Sequence, residues 1–327
     1  IVQPAGNCDI VTATPEKVAT NSRRLQYEDS IRNAYLSTFK TEADTDLIVN
    51  PNIDKNDVGI LLKKSEGNYD ELISFINNHS KKNDKLYLKD FLFSLSDKDL
   101  RDFSSATLED HITYYHPENY HNPDNLSVSY PFDVYLKGII SPRIANEGLR
   151  PWRGFLKTQF LNIFKEEKNI SVDNVKEWIA QNIRIDNDEN YYNCPISPRG
   201  VFELGIADEY SRDIFFVAVC RAIDIPAYMD NATGQLFYFE NQAWKILSFN
   251  ELKEEIHTGT LVLEYTQDKP ERPVYWTNFT LAKYENGDFV SFDFENDPRV
   301  EKFPITLELE TGYYLISSGN RYTDGTA

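Results

Sequence analysis

The chain has 327 residues, of which 34 are Lys or Arg and 52 are Asp or Glu, so its formal net charge is −18. A field of this sign repels nucleic-acid phosphates and anionic lipid headgroups, which excludes nucleic-acid and membrane-surface binding from the expected functions. The length exceeds what one hydrophobic core usually serves, and with 41% apolar residues it predicts several packed domains.

The cysteines and the hydropathy of the chain bear on which classes of protein are expected. The three cysteines, Cys8, Cys194 and Cys220, are too few for a disulfide scaffold and form no CxxC pair. A single disulfide between Cys8 and Cys194 is one option, and we expect neither a metal nor a cofactor. No apolar run reaches the roughly 18 residues that cross a membrane, so membrane insertion is not expected. The sequence starts at Ile1 without Met, which favours an exported protein, periplasmic or on the cell surface.

Residues 1–125 predict a helical N-terminal region. Apolar residues recur at helical spacing in residues 23–39 and 85–95, and Asn68 and Ser96 each stand where they can cap a helix. Residues 114–131 are rich in Asn, Pro, His and Tyr without periodicity, which predicts a long loop. The histidines in and beside this loop, His111, His116 and His121, are more simply exposed loop residues than metal ligands, because no helical face unites them.

Residues 126–256 predict an α+β core. Ser171 begins the clearest amphipathic helix, over residues 171–183. Residues 208–227 combine an acidic start, a buried apolar run and a stop at Pro226, which predicts a buried central helix capped by Asp208 or Ser211. Residues 235–249 then predict two strands joined by a turn at positions 241 and 242.

Residues 257–327 predict an antiparallel, sandwich-like β region. Three segments rich in β-branched and aromatic residues cover residues 260–265, 274–285 and 288–294, and Asn286-Gly287 is a strong hairpin signal between the last two. Thr311-Gly312 marks another turn. Asp324-Gly325 would open one more hairpin without a second strand, so we expect the chain to be part of a longer protein.

The central region also carries a family resemblance. Residues 175–185 (VKEWIAQNIRI) and residues 216–228 (FVAVCRAIDIPAY) resemble the core of the transglutaminase-like superfamily, which has a papain-like cysteine-enzyme fold. The runs at residues 141–149 (SPRIANEGL), 200–221 and 312–325 are similar to a subgroup of large, exported bacterial proteins of this kind. The resemblance covers about a third of the chain, from near residue 131 to near residue 249.

The resemblance implies a catalytic triad whose residues are missing. The nucleophilic cysteine of that family stands at the start of the central helix, and the matching position here is Glu209. In one register the histidine position falls on Gln242; in the other it falls on Thr233, and the aspartate position then falls on Ser248. The expected cleft would be formed by residues from both sides of it, namely Asp208, Glu209, Ser211, Arg212, Asp213 and Trp244.

Two functions from different classes follow. The first is a catalytically degenerate transglutaminase-like domain, expected to be a monomer, that binds or scaffolds a peptide, protein or glycan ligand. The second is an active amide-bond enzyme, a protease, amidase or transglutaminase, that uses Cys194 as nucleophile with His257 as the alternative base. The alternating acids Asp293, Glu295 and Asp297 are a third and weaker candidate, for hydrolysis or Ca²⁺ binding.

Overall fold

The computed structural model describes eleven stretches of the chain: residues 14–40, 42–48, 53–79, 87–114, 130–167, 169–230, 232–249, 258–265, 272–285, 287–294 and 297–319. Within them helices are followed by antiparallel sheets, so the protein is broadly α+β. The predictions made for Cys8, His116, His121, His257, Asn286, Glu295 and the Asp324-Gly325 hairpin concern residues outside these stretches.

The N-terminal part is helical. Its α-helices are α1 (Pro15–Leu36), α2 (Lys55–Ser65), α3 (Tyr69–Asn78), α4 (Tyr87–Phe93), α5 (Asp97–Asp102) and α6 (Ser105–Thr113). Ser96 caps α5 as predicted, and it forms a reciprocal capping box with Asp99. Asn68 precedes α3 but does not cap it. Its amide instead donates to the carbonyl oxygens of Leu100 and Phe103, so a long-range partner replaces the local one.

The central part alternates helices with short strands. Its elements are α7 (Phe132–Tyr135), α8 (Arg153–Ile163), α9 (Val172–Asn182), β1 (Arg184–Ile185), α10 (Pro198–Leu204), β2 (Ile206–Ala207), the central helix α11 (Glu209–Ala222), β3 (Ala227–Met229), β4 (Leu236–Glu240) and β5 (Ala243–Leu247). A π-helical turn, Leu136–Ile140, extends α7. Strands β3, β4 and β5 form an antiparallel sheet in that order, and the β4–β5 hairpin turns at positions 241 and 242 as predicted.

The C-terminal part consists of two antiparallel sheets. Strand β6 (Thr258–Leu263) pairs with β9 (Ile305–Glu310), while β7 (Phe279–Glu285) lies between β8 (Asp288–Ser291) and β10 (Tyr314–Ser318). The predicted strand over residues 274–285 starts late, because residues 276–278 form a turn. The turn at Thr311-Gly312 separates β9 and β10, which belong to different sheets.

Three clusters of buried apolar side chains organise the described chain. One joins α2–α6 to Tyr135 and Ile139, the second surrounds the central helix, and the third combines residues from both C-terminal sheets. The central helix is buried along most of its length because its residues from Ile214 to Cys220 are all apolar. No helix in the described stretches is long and apolar enough to span a membrane.

Arg221 fixes the C-terminal end of the central helix. Its guanidinium is buried and donates to four carbonyl oxygens, those of Ala227 at 2.9 Å, Ser141 at 2.6 Å, Arg143 at 2.8 Å and Lys137 at 3.2 Å. Burial, together with the nearby charge of Arg153, lowers the pKa of Arg221 to about 9, which leaves it protonated at neutral pH. The arginine therefore ties the central helix to the segment that precedes α8.

Buried polar contacts join the helical part to the central part. Arg143 forms a two-pronged ion pair with Asp99, whose side chain is fully buried. Asp110 of α6 accepts hydrogen bonds from the backbone of Arg153 and Gly154, and so caps α8 from another element. A Cβ on Gly154 would clash with the ring of Tyr114 and with the carboxylate of Asp110, so glycine allows this close approach of α6 to α8.

His111, on α6, makes this junction sensitive to acid. Its side chain is fully buried, and burial and the charge of Arg153 lower its pKa well below 6.5. The unfolded chain then binds more protons below that pH, so stability present above pH 6.5 is lost as the pH falls. We expect the free energy of unfolding to fall by up to about 1.4 kcal/mol per pH unit more than in a His111→Phe variant. Chemical denaturation between pH 7 and pH 5 measures this, and parallel slopes in the two proteins would contradict it.

Candidate functional site

The start of the central helix is held by Asp208. Its backbone is extended, and its side chain accepts from the backbone N–H of Ser211 at 2.8 Å and from the Ser211 hydroxyl at 2.7 Å. Asn190 donates a third hydrogen bond at 2.6 Å. Partial burial favours the neutral acid, but these three bonds outweigh it and lower the pKa of Asp208. Of the two predicted caps, Asp208 is the one used.

A loop from Asn187 to Ile196 is fastened to this helix start. The side chain of Asn187 accepts from the backbone N–H of Glu209 at 3.0 Å. Asn190 also donates to the carbonyl oxygen of Cys194 at 2.8 Å, and the N–H of Ile196 donates to the Ser211 hydroxyl at 2.9 Å. Because the helix start and the loop share these partners, each fixes the position of the other.

A cavity of about 140 Å³ lies between this helix start and the end of the β4–β5 hairpin. Pairing of Leu236 with Leu247 places the beginning of β4 beside the end of β5. The residues around the cavity come from the helix, from the segment entering β4 and from the end of β5: Glu209, Arg212, Asp213, Gly234, Gln235, Leu236, Ile246, Leu247, Ser248 and Phe249.

The cavity carries a net negative charge. The guanidinium of Arg212 pairs with Asp213 at 2.7 Å and lies 4.4 Å from the ring centre of Phe249, so its charge is largely neutralised and its position fixed. No residue in the described stretches forms an ion pair with Glu209, whose side chain is exposed at the helix start. Glu209 is therefore the group with which a cationic ligand would interact most strongly.

The structure brings some of the sequence-predicted site residues together and separates others. Glu209 and Ser248 line the same cavity with Arg212 and Asp213. Thr233 lies in the turn before it, where its N–H donates to Asp230. Asp208 and Ser211 contribute to the cavity indirectly, through the cap.

Gln242 and Trp244 lie elsewhere. Gln242 occupies the exposed tip of the hairpin, at the end opposite to Leu247. Trp244 packs edge-on against Tyr228 and Phe239, and together with Pro226 it leaves too little space for a Cβ at Gly138. The alternation of side chains along a strand explains this placement. Trp244 and Leu247 are three residues apart, so Trp244 lies on the face of the sheet opposite to the one on which Leu247 contacts the central helix.

The two described cysteines differ in accessibility. Cys220 is fully buried within the central helix, and burial raises the pKa of its thiol far above the usual range. Cys194 is exposed, and its Sγ lies 3.6 Å from the carbonyl oxygen of Tyr192. We expect iodoacetamide to modify Cys194 at least about 100-fold faster than Cys220, because only an accessible thiolate reacts. Peptide mapping of the alkylated native protein measures the ratio, and comparable labelling of both would contradict it.

No described histidine lies at this site. His79 and His111 are both buried among the N-terminal helices, where His79 lies 3.5 Å from Glu109. Across the described stretches no three His, Cys, Asp or Glu side chains form a group that could hold a metal ion. Asp297, proposed above as a Ca²⁺ ligand, pairs with Arg299 and caps a short 3₁₀ helix instead.

Several residues that line the cavity were not predicted from the sequence to belong to the site. Gln235, Leu236, Ile246 and Phe249 were assigned only to strands. The hairpin signal itself could have identified them, since a two-residue turn at positions 241 and 242 fixes which residues of the two strands lie opposite each other. The same register places residue 248 opposite residue 235, at the open end of the hairpin.

Comparisons of the chain with models of known protein families, with curated proteins and with solved structures found no match.

Proposed function

We propose that the central part of the chain is a transglutaminase-like core that lacks the catalytic triad, and that its cavity binds one side chain of a peptide ligand. The observation that carries this proposal is that Glu209 and Ser248, the positions matching the nucleophile and the acid of the triad, line one cavity at the start of the central helix. The order of α9, the central helix and the following antiparallel sheet also agrees with the resemblance.

The size of the cavity favours a peptide over a glycan. Small-molecule pockets usually enclose about 300–1,000 Å³, whereas a cavity of about 150 Å³ accommodates a group the size of benzene. At about 140 Å³ the cavity can therefore receive a single side chain, but it cannot enclose a sugar with its substituents. The ligand would be recognised through that side chain and through contacts outside the cavity.

The charge of the cavity favours a basic side chain. Among the described residues, Glu209 has no ion-pair partner, and the one cation that lines the cavity, Arg212, already pairs with Asp213. A guanidinium can pair with the Glu209 carboxylate through two parallel hydrogen bonds, and such charge-assisted pairs are about twice as strong as neutral ones. Arginine is accordingly the preferred side chain.

Calorimetric titration with blocked amino acids tests the proposal. We expect the N-acetyl amide of arginine to bind at least about tenfold more tightly than that of glutamate, a difference of about 1.4 kcal/mol. Glu209→Gln should abolish this preference, while Glu177→Gln, an exposed residue of α9, should leave it unchanged. Equal binding of the two amides, or saturation by glucose alone, would overturn the proposal.

The second candidate, an active enzyme using Cys194, rests on a separate observation. Asn190 bonds both the Cys194 carbonyl oxygen and the Asp208 carboxylate, so the exposed thiol belongs to a loop fastened to the helix start. An activated thiolate at this place would be alkylated near neutral pH much faster than an ordinary exposed cysteine. The rate of Cys194 alkylation at neutral pH, compared with that of the N-acetyl amide of cysteine, decides: a rate no higher than that of the free amide supports the degenerate domain, and a rate at least about tenfold higher supports the enzyme.

A further inference from the structure

Strand β5 lies next to the cavity, at an edge of its sheet among the strands that the structure describes. It pairs there with β4 on one side and with no described strand on the other. It contains no proline, and Ile246 near its end is 57% exposed. An edge of this kind displays backbone N–H and C=O groups that an extended chain can pair with.

The hairpin register identifies the groups at this edge. Residues 241 and 242 both have positive φ, 53° and 62°, as in a two-residue type I′ turn, so Glu240 and Ala243 form a hydrogen-bonded pair. Such pairs alternate along antiparallel strands, which directs the backbone groups of Trp244 and Ile246 outward. Consistently, the N–H of Phe239, opposite Trp244, points away from β5 and donates to Pro226.

The side-chain faces of β5 relate this edge to the cavity. Leu247 is buried on the face turned to the central helix, and cross-strand neighbours share a face. A residue of an added strand opposite Leu247 would therefore point toward the side where Glu209 lines the cavity. Within the described stretches, the edge of β5 and the Glu209 carboxylate can therefore bind one ligand together, the edge through the ligand's backbone and the carboxylate through one of its side chains.

We propose that an extended peptide adds antiparallel to β5 as a fourth strand, bonding to the backbone of Trp244 and Ile246 and placing a basic side chain, opposite Leu247, beside Glu209. This inference rests on the proposed function and specifies how the ligand is held. Backbone pairing supplies affinity that does not depend on sequence, and the cavity supplies selection of one side chain.

Backbone methylation of a peptide probe tests the pairing. The probe is fluorescein-labelled Thr-Val-Thr-Arg-Thr-Val-Thr amide, titrated with the full chain and followed by anisotropy. With arginine opposite Leu247, the two threonines that follow arginine in the probe lie opposite Ile246 and Trp244, and their N–H groups face β5, while those of the valines face away. N-methylation of these threonines should weaken binding at least about tenfold, because each methyl group removes a backbone hydrogen bond and clashes with β5. N-methylation of the valines should change it by less than about threefold, because their N–H groups make no bond.

A protein variant gives an independent readout. Ile246→Pro removes an N–H that faces solvent, a position where edge strands tolerate proline, so the far-UV circular dichroism should be preserved. The variant should bind the probe at least about tenfold more weakly, while Ile246→Val should bind as the natural chain does. If neither set of methyl groups nor Ile246→Pro weakens binding, strand addition is overturned. The proposed function stands in that case, provided that Glu209→Gln still weakens binding. If the arginine probe binds no better than its glutamate analogue, the proposed function fails as well.

Discussion

Replacing Arg221 by methionine is expected to lower the free energy of unfolding by about 3–5 kcal/mol, which is the range for removing one partner of a buried charged network. The guanidinium is the common donor to four carbonyl oxygens, those of Lys137, Ser141, Arg143 and Ala227. Methionine fills similar volume but leaves these acceptors without the donor, and each unsatisfied buried acceptor costs about 1–3 kcal/mol before the site relaxes. Guanidinium-induced unfolding followed by far-UV circular dichroism measures the loss.

Two further variants separate the role of the hydrogen bonds from that of charge. Arg221→Lys keeps the positive charge but reaches fewer carbonyl oxygens, so its loss should lie between those of the natural chain and Arg221→Met. Arg24→Met alters an exposed arginine of α1 and should cost less than about 0.5 kcal/mol. An Arg221→Met protein as stable as the Arg24→Met protein would contradict the account of this junction.

The second large effect is expected at Asp99, where the helical and central parts meet. Its fully buried carboxylate accepts from Arg143 and also from the backbone N–H and hydroxyl of Ser96. Burial alone would lower the pKa of Arg143, yet its bonds to Asp99 raise it, so the arginine keeps its charge at this junction. Asp99→Asn removes the negative charge and leaves a half-buried guanidinium without its counter-ion, at a cost of about 3–5 kcal/mol.

Limited proteolysis gives a local readout of the same change. Loss of the Asp99–Arg143 pair should loosen the segment around residues 141–149 before the rest of the chain unfolds, because that segment is tied to the helical part through Arg143. The matched control is Asp102→Asn, an exposed residue of α5 that pairs with Lys98. If the Asp99→Asn protein is cleaved at the same sites as the natural chain and is as stable as the Asp102→Asn protein, the pair does not hold this junction together.

Much of the local structure could be predicted from the sequence, because local signals decided it. The caps at Ser96, Ser171 and Asp208 and the buried central helix follow from residues close together in the chain. Asn68 shows the limit of this reasoning. It occupies the predicted cap position, but carbonyl oxygens more than thirty residues away compete for its amide and win.

The site was predictable only in part, for a related reason. Glu209 and Ser248 were located by resemblance, and the structure places both at one cavity. Trp244 was predicted to line the same cleft. The hairpin register instead places its side chain on the other face of β5, where it contacts Tyr228. The ion pair of Asp99 and the hydrogen bonds of Arg221 join residues that are far apart in the sequence, and no local pattern predicts such contacts.

The central claim is that the cavity receives a basic side chain beside Glu209, and a crystal soaked with the N-acetyl amide of arginine tests it most directly. The account predicts electron density for the guanidinium in the cavity, within about 3 Å of the Glu209 carboxylate, the distance of a charge-assisted hydrogen bond. Soaked crystals of Glu209→Gln should lack that density. An empty cavity at a ligand concentration that saturates the protein in solution, or density bound only elsewhere, would contradict the claim.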